Sequence, residues 1–345
     1  MGRKNTRNLN MPPHMHPRTQ RSGKVYYYMY RKGADGKRQE IALGEDFILA
    51  LKKYAELNVV VAPGTGASFA DLQQRYLVEA VPKLAVNSAR MYRSDIKHLM
   101  ASFSAAPLDQ IKPMHIRQFL DDHADKPTTA NRCKRVFSTM WNKARGWGYT
   151  DLPNPCEGVQ GHTLGKRTVY ITDAIFDAVR GCASDPLRDA MDLAYLTGQR
   201  PADALKMTEH DIIDGHLIVT QEKTKQPLRI QIVGELAGLL ERIQLRKARC
   251  KVQTAALLVN TQGKRLTGPT LRTHFDQARK DAREKHPKLA SAIKNFRFYD
   301  LRAKAADDTA DGRGEEAARD LLGHESVKTT QRHYLRRGKI VHPTK

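Results

Sequence analysis

The segment LLGHESVKTTQRHYLRR contains one tyrosine, Tyr334, in a strongly basic setting. His324 lies ten residues before it. Four further basic side chains are close in sequence: Lys328, Arg332, Arg336 and Arg337. A phenol in such a setting can pack against a neighbouring side chain, or it can act as a nucleophile toward a negatively charged group. Residues elsewhere in the chain bear on the choice.

Two arginines that are far apart in the sequence are suited to binding phosphate. In YLTGQRPADALKM, Arg200 falls between Gly198, which is expected to end one helix, and Pro201, which suits the first turn of the next. In FYDLRAKAADD, Arg302 lies at a predicted helix start. A guanidinium group binds two phosphate oxygens at once and does not titrate. For Arg200 alone, an ion pair with Asp203 is the alternative.

A predicted β-hairpin and a third helix end supply the remaining polar groups. HLIVTQEKTKQPLRIQI alternates apolar residues on both sides of the polar centre QEKTKQ, which indicates two strands joined by a turn. Lys223 and Lys225 both fall in this turn, and His324 follows Gly323, a natural helix stop. The ordered set TGxRxxD, turn lysine, LR, LGH and tyrosine is far more specific than any one of its members.

Composition predicts a folded protein of two or three domains that binds a polyanion. The 345 residues include 59 Lys or Arg against 37 Asp or Glu, a net charge of +22. Such a surplus favours polyanionic partners and binding that weakens with salt. The four scattered cysteines are expected to be free thiols, and no metal or other cofactor is expected. Without an apolar span or secretory leader, a cytoplasmic location and no membrane contact are expected.

The patterns predict an α+β, mostly helical protein with three modules. Residues 1–60 combine two strands around an Asp35-Gly36 turn with a helix over 46–57. Residues 66–160 form a helical module, and 166–345 form a larger module of helices and one hairpin. Helices of the second module are predicted over 68–80, 87–104, 113–123 and 128–147, and linkers over 59–68 and 149–167.

Basic residues of the first two modules are candidates for nucleic-acid contact. They are Arg3, Lys4 and Arg7 at the N-terminus, and Arg132 and Arg135 on the last helix of the second module. The last helix carries an apolar stripe elsewhere on its surface. A small sheet with tyrosines beside a basic arm suits nucleic-acid binding. Alternatively, Tyr26, Tyr28 and Tyr30 only cover one face of the sheet.

The ordered motifs resemble those of the tyrosine recombinase (phage integrase) family, and the resemblance covers nearly the whole chain. LTGxR and LLGHxS…TTxxxY are highly specific in combination. The N-terminal match, to the arm-type DNA-binding domain of lambda-like integrases, is less specific. The resemblance implies an arm-binding domain over 1–60, a helical, SAM-like core-binding domain over 66–160 and a catalytic domain over 166–345.

The resemblance also implies a site-specific DNA recombinase that integrates or excises a phage or another mobile element. In this family a tyrosine attacks a DNA phosphodiester, forms a 3′-phosphotyrosine and releases a 5′-hydroxyl, so strands rejoin without ATP. Implied partners are double-stranded DNA with core and arm sites, three further copies in a homotetramer, a DNA-bending accessory protein and an excisionase. The short basic tail LRRGKIVHPTK is expected to pack onto a neighbouring protomer.

By the same resemblance, each candidate residue has an expected role. Tyr334 is the nucleophile, and Arg200 and Arg302 clamp the phosphate oxygens. Lys223 protonates the departing 5′-oxygen, and His324 hydrogen-bonds the scissile phosphate. Asp203 matches the acidic position that supports the first arginine.

Three positions depart from the family pattern. Tyr299 stands where a histidine is usual; a free phenol titrates at roughly pH 10 and imidazole near 6.5, so slower proton removal is expected with activity retained. The interval from histidine to tyrosine is ten rather than nine, and His333 fills the usual offset. An imidazole does not replace a phenol, which leaves Tyr334 as the candidate. Lys225 competes with Lys223, and the KT dipeptide favours Lys223.

Two alternatives remain open at this point. One is a catalytically weakened DNA-binding protein of the same fold, with Tyr299 as a sign of decay. The other is a one-sided topoisomerase or telomere resolvase with the same chemistry. The complete set of basic groups and Tyr334 argues against the first, and the arm-like N-terminal domain argues against the second.

Overall fold

The computed structural model describes residues 11–12, 14–20, 22–32, 38–58, 66–338, 341 and 343–344. The Asp35-Gly36 turn, the candidate contacts Arg3, Lys4 and Arg7, and most of the first predicted linker lie outside these residues. The chain divides into two compact units, residues 1–165 and 166–345. The finer boundary near residues 60–66 stays a prediction.

The N-terminal module is a three-stranded antiparallel sheet followed by a helix. The strands β1 (Met15–Thr19), β2 (Val25–Lys32) and β3 (Arg38–Gly44) pair in chain order, and α1 spans Phe47–Asn58. The two-strand expectation was therefore incomplete, because β1, with the sequence MHPRT, lacks apolar alternation and contains a proline, which suits an edge strand. Met15 and Met29 are buried on the face of the sheet that packs with Ala50 and Tyr54 of α1.

The other face of this sheet carries aromatic and charged side chains. His16 stacks on Tyr30 with ring centroids 4.4 Å apart. The Arg18 guanidinium lies 4.8 Å from the Tyr28 ring, and that of Arg38 lies 3.5 Å from the Tyr30 ring. The tyrosines therefore cover one sheet face, and they do so together with cationic side chains.

Four helices form the core of the second predicted module, and their predicted positions are confirmed to within two residues. They are α2 (Phe69–Glu79), α3 (Val86–Phe103), α4 (Pro113–Asp122) and α5 (Pro127–Gly146). Ser68 and Asp71 form a reciprocal capping box at the start of α2. The predicted linker over 149–167 is irregular but packs on α5: Asn154 donates to the Asn142 Oδ1 atom at 2.9 Å, and the Trp141 Nε1 atom donates to the Leu152 carbonyl at 3.3 Å.

The second unit combines helices with one small sheet. Its helices begin with α6 (Asp173–Gly181), α7 (Asp185–Thr197) and α8 (Pro201–Ala204), and a sheet of β4 (Ile212–Ile213), β5 (His216–Thr220) and β6 (Pro227–Gln231) follows. The remaining helices are α9 (Glu235–Ala248), α10 (Gly268–Lys285), α11 (Ala290–Asn295), α12 (Asp300–Arg313), α13 (Glu315–Leu322) and α14 (Val327–His333). The α+β, mostly helical fold class and the predicted hairpin are confirmed.

A single apolar cluster holds the second unit together. Leu187, Met191 and Leu193 of α7 lie at its centre and are fully buried. Leu217 and Val219 of β5 pack into the same cluster, so the inward-facing alternate residues of the hairpin fix it to the apolar core of this unit. Within the described part of the chain, no helix is long and apolar enough to cross a bilayer.

Candidate active site

Arg200 occupies the junction that its neighbours predict. Gly198 ends α7 in the left-handed conformation, with φ of 64°, and α8 begins at Pro201. A side chain at position 198 would lie 3.1 Å from Leu321, so glycine also permits this close approach. The Nη1 atom of Arg200 donates to the Gln221 Oε1 atom at 2.9 Å.

Asp203, on the helix that begins at this junction, contacts Arg200. The carboxylate is 5% exposed, and its Oδ2 atom lies 3.8 Å from the Arg200 Nη1 atom. Its Oδ1 atom accepts the backbone N–H of Glu222 at 2.9 Å. Asp203 thus contacts the start of the hairpin turn as well as the first arginine.

Arg302 lies in the first turn of α12 and is almost completely buried, at 2% exposed. Its Nη1 atom donates to the Gly198 carbonyl at 2.8 Å, and its Nη2 atom donates to the Leu322 carbonyl at 2.7 Å. Its buried Nε–H finds no acceptor among the described residues. Burial lowers the pKa of Arg302, and Arg200 adds to this effect while Tyr334 opposes it. An arginine remains charged under such a shift.

His324 joins Arg302 to the last helix. Its Nε2 atom lies 3.1 Å from the Arg302 Nη2 atom, and its Nδ1 atom lies 2.9 Å from the Thr330 Oγ1 atom. Burial, followed by the charges of Arg302 and Arg200, lowers the pKa of His324 to about 4. Both ring nitrogens are engaged here, so the expected hydrogen bond to a phosphate oxygen requires Nε2 to leave Arg302 and to carry a proton that it can donate.

Tyr334 follows the last residue of α14 and lies against both of these groups. Its ring centroid is 5.0 Å from that of His324 and 5.2 Å from the Arg302 Cζ atom. Its backbone N–H donates to the Thr330 carbonyl at 2.8 Å. The structure therefore brings the phenol and the imidazole of one segment together with a buried guanidinium from a second part of the sequence.

The basic residues that follow Tyr334 have a different role from the one the local sequence suggests. Arg336 forms an ion pair with Asp300 at 2.7 Å, and Arg337 forms one with Asp311 at 2.7 Å. These two charges are therefore compensated by acidic residues. Arg302, which is distant in sequence, adds a positive charge close to the phenol, and Arg336 also lines the cleft that contains Tyr334.

One open cleft of about 630 Å³ gathers the other predicted catalytic side chains. Besides Tyr334 and His324, its lining includes Arg200, Lys223 and Tyr299. His333 and Thr224 also line it. Lys225 adopts a left-handed conformation, with φ of 59°, and its backbone N–H closes the turn by donating to the Gln221 carbonyl at 2.8 Å. Lys223 is thus the turn lysine on the cleft.

Tyr299 immediately precedes α12 at the edge of the cleft. Its side chain is 44% exposed, and its ring lies 5.4 Å from the Arg167 guanidinium. The phenol therefore has both solvent and a cationic neighbour within reach.

Three buried polar residues of the site carry no signal that singles them out in the sequence. Gln199, Gln221 and Thr330 are each at most 1% exposed. Gln199 falls inside the LTGQR motif and Thr330 inside TTxxxY, but the motifs alone do not predict a role for either side chain. Gln199 and Gln221 bond to main-chain carbonyls of the distant residues Leu321 and Leu322, and Thr330 bonds to the side chain of His324, contacts that local patterns do not reveal.

The two candidate DNA-contact residues on α5 differ from one another. Arg132 forms a bidentate ion pair with the fully buried Asp95, with distances of 2.7 to 2.9 Å, and its guanidinium is therefore committed to the fold. Arg135 is exposed. In the described part of the chain, no cluster of three or more His, Cys, Asp or Glu residues is arranged to hold a metal ion.

The sequence matches known proteins over the region of this site and beyond it. The phage integrase family model matches residues 171–339, which contain every side chain that lines the cleft. The chain is 25% identical to the integrase of Escherichia phage lambda over 94% of both chains. It is 26% identical to the integrase of Enterobacteria phage 434, again over 94% of both.

The fold is similar to that of a solved complex as well. A lambda integrase tetramer bound to a Holliday junction aligns with a TM-score of 0.70 and 21% identity. The alignment covers 97% of this chain and 99% of that one. The likeness in fold extends over both units of the chain.

Proposed function

The chain belongs to the phage integrase family, and from this premise we propose that it cuts and rejoins DNA at specific sites through a covalent bond between Tyr334 and a DNA phosphate. The observation that carries the proposal is the buried guanidinium of Arg302. It lies 5.2 Å from the Tyr334 ring and keeps one N–H without a described acceptor. A buried donor of this kind suits an anion that arrives with the substrate.

In the proposed reaction the Tyr334 oxygen attacks the scissile phosphorus, and the bond from phosphorus to the 5′-oxygen breaks. The tyrosine proton leaves to solvent or to a base in the cleft, and Lys223 gives a proton to the 5′-oxygen. Arg200 and Arg302 stabilise the charge on the non-bridging oxygens. In other enzymes the loss of one preorganised donor costs about 3 kcal/mol of barrier. Attack by a 5′-hydroxyl on the phosphotyrosine reverses the step and rejoins a strand.

The basic charge of the chain supports the proposed DNA partner. A net charge of +22 favours a polyanion, and the face of the N-terminal sheet on which Arg18 and Arg38 lie over tyrosine rings suits an arm site. The solved lambda integrase tetramer on a Holliday junction supports a homotetramer on DNA as the working form, and the solved lambda integrase dimer on a core site supports binding to core-site DNA. A DNA-bending protein, an excisionase and a cytoplasmic setting complete the proposal.

The test is a trapped covalent complex. The substrate is a duplex built from the attachment site, identified by a search for short direct repeats that flank the inserted element, with a nick placed so that the short 5′-hydroxyl fragment diffuses away after cleavage. Wild type is expected to give a denaturant-resistant adduct, and Tyr334→Phe none. Tyr334→Phe keeps the ring that packs on His324, so its unfolding temperature and DNA affinity serve as the control. Binding without an adduct by wild type would indicate a non-catalytic DNA-binding protein.

A further inference from the structure

We infer that Gln221 is a positioning residue that fixes Arg200 and the Lys223 turn against the segment carrying His324. The inference rests on the proposed function and names a residue on which the rate of DNA cleavage depends. Gln221 follows β5, is completely buried and does not line the cleft itself.

The amide of Gln221 uses all of its hydrogen-bonding capacity. Its Nε2 atom donates to the Gln199 Oε1 atom at 2.7 Å and to the Leu322 carbonyl at 2.9 Å. Its Oε1 atom accepts from the Arg200 Nη1 atom at 2.9 Å and from the Thr224 hydroxyl at 2.8 Å. Two donors and two acceptors are what one amide offers, and its orientation is fixed because a guanidinium only donates and a carbonyl only accepts.

These four bonds join elements that each carry a predicted catalytic side chain. The Leu322 carbonyl also accepts from the Arg302 Nη2 atom at 2.7 Å, so one carbonyl links Gln221 to the second arginine. His324 comes two residues later. Through Leu322 and Gln221, Arg200 and the buried Arg302 therefore share a common support.

The backbone of Gln221 also closes the turn that contains Lys223. Its backbone carbonyl accepts the N–H of Lys225 at 2.8 Å, and its own N–H donates to the Gln226 carbonyl at 3.1 Å. Lys223 lies inside the turn that these bonds close. Gly323 allows the close contact on the other side, since a Cβ atom there would lie 3.0 Å from the Gln221 Nε2 atom.

The physical consequence is preorganisation of Arg200. A free arginine side chain loses rotamer freedom when it binds a phosphate, and that cost raises the barrier. An arginine already held by Gln221 on one side keeps its remaining N–H groups directed toward the cleft. A misplacement of about 1 Å in such a group can cost on the order of a hundredfold in rate.

The first experiment replaces Gln221 with methionine, which keeps the volume and removes all four side-chain hydrogen bonds. Gln231→Met, on the exposed end of β6, is the matched control. With protein in excess over the nicked duplex, Gln221→Met is expected to slow adduct formation about tenfold to a hundredfold. The dissociation constant for the duplex should match that of the control. An unchanged rate, or a loss of rate explained entirely by weaker binding, would overturn the inference.

The second experiment uses Gln221→Glu, which retains the shape of the side chain and makes its donor depend on pH. An ionised carboxylate cannot donate to Leu322, whereas a protonated one can. The cleavage rate of Gln221→Glu relative to wild type is therefore expected to rise as pH falls. A ratio that stays constant with pH contradicts the inference, even if Gln221→Met fails to fold. Absence of any adduct from wild type would instead count against the proposed function.

Discussion

The Nη2 atom of Arg302 lies 3.1 Å from the Nε2 atom of His324, and the imidazole is the acceptor because a guanidinium carries only donors. The proton of neutral His324 is therefore on Nδ1, which donates to the Thr330 Oγ1 atom at 2.9 Å. The Thr330 carbonyl in turn accepts the N–H of Tyr334. Arg302 thus sets the tautomer of His324, and one buried threonine accepts the Nδ1–H of His324 and anchors the backbone of Tyr334.

Replacement of Thr330 by valine tests this arrangement. Valine keeps the shape but leaves the Nδ1–H of His324 without an acceptor, which costs about 1–3 kcal/mol for a buried group. We expect Thr330→Val to slow adduct formation about tenfold with little change in DNA affinity, and Thr330→Ser to retain most of the rate. The measurement is single-turnover cleavage of the nicked duplex. Equal rates for Thr330→Val and wild type would show that cleavage does not depend on the hydrogen bond between His324 and the Thr330 hydroxyl.

The turn lysines provide a second prediction with its own control. Lys223 lines the cleft, whereas Lys225 has a left-handed backbone that glycine adopts without strain. We expect Lys223→Ala to slow cleavage by about 10² or more, as for loss of a general acid, and Lys225→Gly to leave the rate nearly unchanged.

A substrate with sulfur in place of the 5′-oxygen identifies the step that Lys223 serves. A thiolate leaves without being protonated, so this substrate should restore the rate of Lys223→Ala. Failure of the sulfur substrate to restore it would exclude proton transfer as the role of Lys223.

The lowered pKa of His324 predicts a pH dependence of stability. In the unfolded chain His324 takes up a proton near its usual pKa of roughly 6.5, but in the folded chain only near about 4. Between these values the unfolded chain binds the extra proton, so the free energy of unfolding decreases as pH falls through this window. Denaturant unfolding should show that the difference in unfolding free energy between wild type and His324→Asn decreases as pH falls through this window. A difference in unfolding free energy that stays constant with pH would mean that burial does not lower the pKa of His324.

Local sequence patterns are sufficient to predict the parts of this fold that depend on neighbours in the chain. Gly198 and Gly323 end helices because their left-handed conformations need no partner elsewhere. The helical periodicity places α2 to α5, and the alternation in the hairpin places β5 and β6. The order of the motifs also identifies the side chains that meet in the cleft.

Long-range pairing accounts for what the sequence does not reveal. Arg336 appears in the sequence as a free positive charge beside Tyr334, yet it is paired with Asp300, thirty-six residues away. Gln221 supports Arg200 through contacts with Leu322, one hundred and one residues away. Such partners share no periodicity or spacing, so only the folded chain identifies them.

The difference between Arg132 and Arg135 on α5 gives a prediction about stability and DNA affinity. Arg132→Ala leaves the buried carboxylate of Asp95 without its partner, which typically costs about 3–5 kcal/mol. Arg135→Ala removes an exposed charge and should leave the unfolding free energy nearly unchanged. If Arg135 contacts a phosphate, its loss should weaken binding and reduce the salt dependence by about one ion. Chemical denaturation measures the first effect, and salt-titrated DNA binding measures the second. Weaker DNA binding by Arg132→Ala, together with an unchanged unfolding free energy, would show that Arg132 is the DNA contact.

Tyr299 offers the last prediction, because it lies in the cleft where the family usually has a histidine. A free imidazole accepts a proton at neutral pH, whereas a free phenol, which titrates at roughly pH 10, is neutral and a poor base there. We expect Tyr299→His to raise the single-turnover cleavage rate at neutral pH by about tenfold, which is less than the roughly 10²-fold or more that a fully positioned general base contributes. The gain should disappear at lower pH, where imidazole is protonated. Tyr299→Phe is the matched control that removes the hydroxyl and keeps the ring beside Arg167. If Tyr299→His is no faster than Tyr299→Phe at any pH, this position does not take up the proton of Tyr334.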